Sequence, residues 1–346
     1  MNKACFRRFA ALMTVVSLLA GLLTACSSDT HRQAFAPSES EKLIIYTSHK
    51  EEVYGPIIDE FEARTGIWVE VVSGGSATLL EQIRLQSGTP EADIMFGGGV
   101  DLLGAYSDCF EAYEPEGSEY LTTDFKSTDN KWTAFSSLPI VIIYNNRLVY
   151  VNSVPDSWQD LLDERWKGKI AFADPGNSGT SYTSLVTLLT VMEPQNEVET
   201  MHAFIDNLGG KILTGSGEVT ESVAAGTKLI GVTLEEAALK KQAAGADISI
   251  VYPAEGTSAV PDGCAIVKEA VHLENAQKFM DFIISDCVQQ MLVELCSRRP
   301  VRGGVKISDE RLHAIDEIDY DIDRATAQQA ELLDEWNRYK EAGHEE

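Results

Sequence analysis

Apolar and polar positions follow two alternating rhythms along this chain. Runs such as Leu43-Ile44-Ile45-Tyr46, Ile67-Trp68-Val69 and Ala92-Asp93-Ile94-Met95-Phe96 are nearly continuous in apolar residues, as strands covered on both faces are. Between them the apolar residues recur every three to four positions. Val53, Tyr54, Ile57, Ile58 and Phe61 make one such stripe, and Leu79, Leu80 and Ile83 another. That period belongs to a helix with one buried face. Strand and helix of similar length alternate, which predicts an α/β chain with a mainly parallel sheet and helices on both faces.

The same rhythm continues with an interruption. Leu138-Pro139-Ile140-Val141-Ile142-Ile143-Tyr144 is a long apolar strand with a proline near its start, read as the crossing into a second lobe. Ser157 and Asp160 have capping-box-like spacing at a helix start. Lys169–Ala173, Lys211-Ile212-Leu213, Leu229–Val232 and Ile248–Pro253 read as strands of that lobe, and Pro261–Val267 carries the chain back. Leu273, Ala276, Phe279, Met280, Ile283, Ile284, Cys287 and Met291 form one long amphipathic helix. The acidic run Asp309 to Asp323 and a last helix with Leu332, Leu333 and Trp336 are expected to pack on the outside. The expected organisation is lobe I from 42–138 plus 258–346, and lobe II from 139–257.

The loops carry the chemistry. Thr47-Ser48-His49-Lys50, Ser73-Gly74-Gly75-Ser76 and Gly97-Gly98-Gly99 each lie between a strand and a helix start. Asp174-Pro175-Gly176-Asn177-Ser178-Gly179-Thr180-Ser181-Tyr182 does the same in the second half, before a stripe of Tyr182, Leu185, Val186 and Leu189. Helix-start amides lack internal partners and carry the positive end of the dipole. Glycine admits a ligand to the backbone, and serine or threonine adds neutral donors. Ser48, Ser76, Gly98, Ser178, Gly179, Thr180 and Ser181 therefore suit an oxyanion. A plain helix cap at Ser178 or Thr180, and ordinary turn chemistry at the glycines, remain the alternative. Ser216 and Glu218 lie in a similar loop, Thr214–Thr220, and Glu235 ends the strand Leu229–Val232. Carboxylates there suit sugar hydroxyls or an amine; as solvated surface acids they need no ligand.

Charge narrows the partners. The 346 residues suffice for two domains, and the net charge is −26. So acidic a chain does not bind nucleic acid or an anionic membrane surface by electrostatics. Lys3, Arg7 and Arg8 precede an apolar stretch, Phe9 to Leu23, shorter than a membrane span requires. Leu23-Thr24-Ala25-Cys26 follows, which looks like a bacterial lipobox with Cys26 acylated. The expectation is a signal segment at 1–25, a polar tether at 26–41, and attachment to a membrane through lipid on Cys26. Loss of those three cations would take the charge from −26 to −29. Cys109, Cys264, Cys287 and Cys296 imply no particular disulfide, and no C-x-x-C occurs.

The order of these segments resembles the extracellular solute-binding proteins of ABC importers, of the type-2 periplasmic fold, in the branch that includes ferric-ion, sugar-phosphate and phosphonate binders. The residues that carry the resemblance are Ile45-Tyr46-Thr47-Ser48, Ala92-Asp93-Ile94, Trp158-Gln159-Asp160-Leu161-Leu162 with Trp166-Lys167-Gly168-Lys169-Ile170, Gly231-Val232-Thr233 with Glu235, Val260-Pro261-Asp262-Gly263, and Arg298-Arg299-Pro300-Val301-Arg302. The resemblance implies two α/β lobes joined by crossing strands, with ligand closing the cleft between them. It implies an extracytoplasmic, monomeric receptor that delivers its ligand to an ABC permease.

Ferric binders of this branch place adjacent tyrosines in the second half of the chain. The eleven tyrosines here include no adjacent pair, and the six histidines show no metal-ligand spacing. His49 alone falls in an expected cleft loop. The loops favour a phosphorylated organic anion, most simply a sugar phosphate such as a hexose phosphate, with no metal and no cofactor. Arg299, among Arg298, Arg299 and Arg302, could reach the anion as a planar fork, or could serve the protein's own acids instead. Ferric ion, a phosphonate or a polyamine are the alternative ligands, and an input protein for a sensor kinase is an alternative role. A hydrolase built on Ser178 and His49 lacks a Gly-x-Ser-x-Gly elbow and a partner to orient the histidine.

Overall fold

The structure is a computed structural model that describes residues 38–123, 126–192, 196–307, 310–312 and 314–343. The expected signal segment, most of the tether, Cys26, His31, His313 and His344 lie outside the described residues. Ser38–Glu41, described by itself, is a single helical turn closed by Ser38 and Glu41.

The first half builds β1 (Lys42–Thr47), α1 (Glu51–Thr65), β2 (Trp68–Ser73), α2 (Ser76–Leu85), β3 (Ile94–Gly99), the short α3 (Val100–Ala105), β4 (Phe110–Glu111) and β5 (Thr133–Ser137). The chain then continues through β6 (Ile140–Asn145), β7 (Ile170–Ala171), α4 (Gly179–Val191), α5 (Glu197–Leu208), α6 (Gly217–Ala224), β8 (Ile230–Leu234), α7 (Glu235–Ala243) and β9 (Ile248–Val251). It returns through β10 (Asp262–Val267), α8 (Leu273–Ile283), α9 (Asp286–Cys296) and β11 (Arg299–Pro300), and a last helix α10 spans Ile322–Ala342.

Two sheets result. The first has the order β11-β5-β10-β3-β1-β2, with β4 also pairing β10; the second has the order β7-β8-β6-β9. β1 and β3 are parallel, with Ile45 opposite Ile94, and β7 and β8 are parallel. The expectation of mainly parallel sheets needs correction, because both are mixed. β10 runs antiparallel to β3 and β5, and β6 runs antiparallel to β8 and β9. The antiparallel strands are those on either side of the crossings, where the chain leaves one sheet and later comes back. The crossings lie side by side: Ile140 N–H donates to the Ser258 carbonyl at 3.0 Å, and Thr257 Oγ1 donates to the Ile140 carbonyl at 2.6 Å.

The core follows the apolar pattern. Phe96, Phe61, Phe135 and Phe279 meet edge to face behind the first sheet, with ring centroids 4.7–5.4 Å apart. Each such fully buried ring contributes on the order of 2–3 kcal/mol by removal from water. Two expectations change. The long helix 273–291 is two helices, because Ser285 breaks the run and caps α9 by accepting from the Val288 amide at 3.5 Å. Lys211–Leu213 makes only a single bridge, Leu213 to Ala173. The last helix packs on the outside as expected, with Ala325, Leu332 and Trp336 turned inward and the Trp336 ring 5.9 Å from Phe172. Helix α10 rests on both α3 and α5.

Candidate ligand-binding site

Three loops of the first sheet converge because β1 and β3 are parallel neighbours whose carboxyl ends lie together. Ser48 N–H donates to the Phe96 carbonyl at 3.3 Å, and Gly74 N–H to the Thr47 carbonyl at 3.1 Å. Gly97 has φ +105°, and a Cβ there would stand 2.6 Å from Ser48 Oγ and 3.0 Å from His49 Nε2. Gly98 has φ +91°, and its Cβ would meet Ser76 Cβ at 3.4 Å. Only glycine fits the first position, and both backbones approach what a side chain would block. Ser48, His49, Ser76 and Gly98 are thus one cluster. Ser48, Ser76 and Gly98 are partly accessible, whereas His49 is buried.

His49 lies edge-on to Phe96 at 4.6 Å, with Phe135 at 5.6 Å. Its Nε2 is 3.4 Å from Asp262 Oδ2 and makes no hydrogen bond among the described residues. Burial, reinforced by the nearby Arg298 charge, holds its pKa well below the usual imidazole value. His49 is therefore neutral near pH 7.

The second sheet gathers its own loops. β7 and β8 are parallel, and Ala173 bridges Leu213 in parallel, so the loops after them emerge at one end. Asp174 organises the first loop: its carbonyl accepts from the Asn177 and Ser178 amides at 3.0 Å, and its carboxylate accepts from the Gly176 amide at 2.9 Å. Lys340 Nζ bonds its other oxygen at 2.7 Å. Ser178 is the N-cap of α4; its Oγ accepts from the Ser181 amide and hydroxyl, both at 3.2 Å. Ser178 and Ser181 are buried, Gly179 is exposed and Thr180 is partly buried. The cap role is real, and it leaves the first-turn amides of Gly179 and Thr180 outside the helix's own ladder. Ser216 is partly exposed and makes no side-chain cap to α6, and Glu218 is exposed in the first turn of that helix.

Glu235 and Arg299 do not stand apart as two ligand contacts. They bond each other: Arg299 Nε to Glu235 Oε2 at 2.7 Å and Nη2 to Oε1 at 2.8 Å, with the Tyr252 hydroxyl also on Oε1. Burial and the hydrogen bond to Glu235 raise the Tyr252 pKa. Beside this pair, Arg298 Nη1 bonds Asp262 Oδ2 at 2.5 Å and Ser136 Oγ at 3.0 Å, and its Nε stands 2.6 Å from Glu236 Oε2. Lys240 links Glu236 at 2.6 Å and Glu52 at 2.9 Å. Helix α7 of the second sheet is thereby tied to α1, β10 and β11 of the first. Arg302 reaches the Ile284 carbonyl at 3.1 Å and lies over Tyr120.

Sequence reading named neither Tyr252 nor Glu236 for this end of the molecule. The Glu235-Glu236 and Arg298-Arg299 doublets were the available signal, since adjacent residues at a strand-to-helix junction point to different partners. Asp101, buried at the start of α3, bonds Thr183 of α4, and burial raises its pKa. A cavity of about 1070 Å³ lies among Trp132, Ser137, Ala259, Tyr320 and α10 residues, and shares only Arg299 with the candidate set. Among the described residues no group of three or more His, Cys, Asp or Glu side chains is placed to hold a metal ion.

Two mixed sheets, side-by-side crossings, and loops gathered at the strand ends define a two-lobed binding protein of the periplasmic type. The chain belongs to the bacterial extracellular solute-binding protein family, whose model matches residues 102–318. It is 25% identical over 327 residues to iron uptake protein A1 of Synechocystis, covering 89% of each chain. It is 24% identical over 280 residues to a putative 2-aminoethylphosphonate-binding periplasmic protein of Salmonella typhi, covering 74% of this chain and 76% of that one. Its fold is similar to that of the periplasmic binding protein AfuA of Actinobacillus pleuropneumoniae, solved with fructose-6-phosphate, with TM-score 0.79, 22% identity and coverage of 87% and 98%.

Proposed function

We propose that this solute-binding protein captures a small phosphorylated organic anion, most simply a hexose phosphate, and delivers it to an ABC permease without chemical turnover. The observation that carries the reading is the convergence of Ser48, Ser76 and the Gly97-Gly98 turn into an accessible, uncharged cluster of hydroxyls and backbone. Neutral donors and helix-start amides hold a dianion without lysine, against the field of a chain of net charge −26. Gly179 and Thr180 at the start of α4 supply the facing amides. The lobes are 42–138 plus 258–346 and 139–257, with α10 lying against elements of both, and lipid on Cys26 holds the monomer at a membrane. The similarity to AfuA, solved with fructose-6-phosphate, supports this choice of ligand.

Thermal shift tests it. Hexose 6-phosphate raises Tm and the free hexose does not. A rise with ferric ion or spermidine alone overturns the reading. Ser178→Ala with Thr180→Ala lowers affinity for the phosphorylated ligand about tenfold, at about 1 kcal/mol of folding stability for the lost cap. Unchanged affinity by titration calorimetry places the phosphate elsewhere.

A further inference from the structure

Glu235 is 1% exposed, yet it is an acid at the ligand end of a strand in a protein that is to hold an anion. Its environment resolves that conflict. Both carboxylate oxygens face the Arg299 fork, at 2.7 and 2.8 Å, and the Tyr252 hydroxyl donates to Oε1. A carboxylate offers about four acceptor sites. Three are taken, and one is left. The Glu235 amide donates to the Pro139 carbonyl at 2.9 Å, which fixes the residue beside the crossing. Glu236 is bonded by Arg298 and Lys240, each at 2.6 Å. The Glu235–Glu236 corner therefore carries carboxylate oxygens that are each matched by a cation.

The geometry points to a role for Arg299 and Tyr252 as positioning residues: they hold Glu235 with its charge cancelled and one acceptor site left, so that the site selects an uncharged hydroxyl next to the phosphate over an amine. This rests on the sugar-phosphate reading and narrows it to polyhydroxy phosphates rather than aminophosphates or polyamines. A hydroxyl needs one acceptor and brings no charge. An ammonium group needs an uncompensated anion to repay its lost hydration, and Arg299 has removed that. Arg299 spends Nε and Nη2 on Glu235, so a direct phosphate contact would have to come from Nη1, and the inorganic-phosphate arm below separates that role from positioning.

Titration calorimetry with glucose 6-phosphate, glucosamine 6-phosphate and inorganic phosphate tests this. The wild type prefers glucose 6-phosphate to the amino sugar by about tenfold. Arg299→Gln frees the Glu235 charge and shifts that ratio toward glucosamine 6-phosphate by about tenfold or more. Arg299→Gln with Glu235→Gln, which leaves no buried charge, brings the ratio back to within about threefold of wild type. Tyr252→Phe shifts it the same way as Arg299→Gln, by about threefold, and carries the test if the arginine variant does not fold. An unmoved ratio in Arg299→Gln or Tyr252→Phe overturns the inference. So does an equal fall for inorganic phosphate and glucose 6-phosphate, which would make Arg299 a direct phosphate contact. Wild-type protein that binds none of the three probes refutes the sugar-phosphate reading and this inference with it. Binding with the wrong ratios refutes the inference alone.

Discussion

At the end of the seven-stranded sheet, Ser48, Ser76 and the Gly97–Gly99 turn bring together neutral groups, and His49 among them is kept neutral by burial. At the end of the four-stranded sheet, Glu235 and Glu236 are paired with Arg299 and Arg298. In these two groups no charge is left unmatched, but they reach that state differently. The first end does so by backbone conformation, which tolerates little change in side-chain volume. The second does so by compensation, which tolerates little change in charge. The difference says how each end can be broken.

The largest effect is expected at the second end. Arg298→Ala leaves Asp262 buried without its cation, takes one of two cations from Glu236, and costs about 3–5 kcal/mol in urea unfolding. The same variant removes a charge that opposes protonation of His49, so the His49 pKa rises, measurable by NMR titration. A loss below about 1 kcal/mol would show that the network is not held by its charges.

Next is the first end. Gly97→Ala forces a side chain onto a backbone at φ +105° and against Ser48 Oγ. A cost of about 1–3 kcal/mol is expected, with ligand binding weakened more than stability alone explains. Retained affinity would separate this turn from the site.

His49 gives a smaller, pH-dependent effect. Its folded pKa lies below the unfolded value of 6.5, so the unfolded chain binds the extra proton. Its contribution is present above about pH 6.5 and is lost as pH falls, at up to about 1.4 kcal/mol per pH unit. Between pH 7 and 5 the wild type should lose stability more steeply than His49→Gln, by denaturant titration at each pH. Parallel slopes would place the proton uptake on other groups. The smallest effect is at the edge of the network: Lys240→Ala removes partly exposed pairs with Glu52 and Glu236, the latter still held by Arg298, and costs about 1 kcal/mol.

The strand–loop–helix order of the first half was legible because buried parallel strands and amphipathic helices write distinct periods into the sequence. β1, α1, β2, α2 and β3 fall where the pattern places them. What the period could not carry was direction and interruption. Antiparallel β10 reads like any buried strand, and Ser285 breaks a stripe whose spacing continues across it. The loops were legible as glycine- and serine-rich helix starts, and capping, which Ser178 performs, writes the same signature as a ligand site does. The Glu235–Arg299 pairing was not, because the two residues lie 64 positions apart and each, read alone, suits a ligand equally well. The inward face of α10 was legible from Leu332 and Trp336, but its partner Phe172 was not, for the same reason: it is far away in sequence.

The position of Trp336 also sets a schedule. Phe172, in the middle of the chain, is covered by an indole made some 160 residues later. Until α10 has been synthesised, that layer keeps an aromatic face open to water, and the elements around α5 lack their final cover. A polypeptide assembled in this order completes its interior only when its last helix is in place.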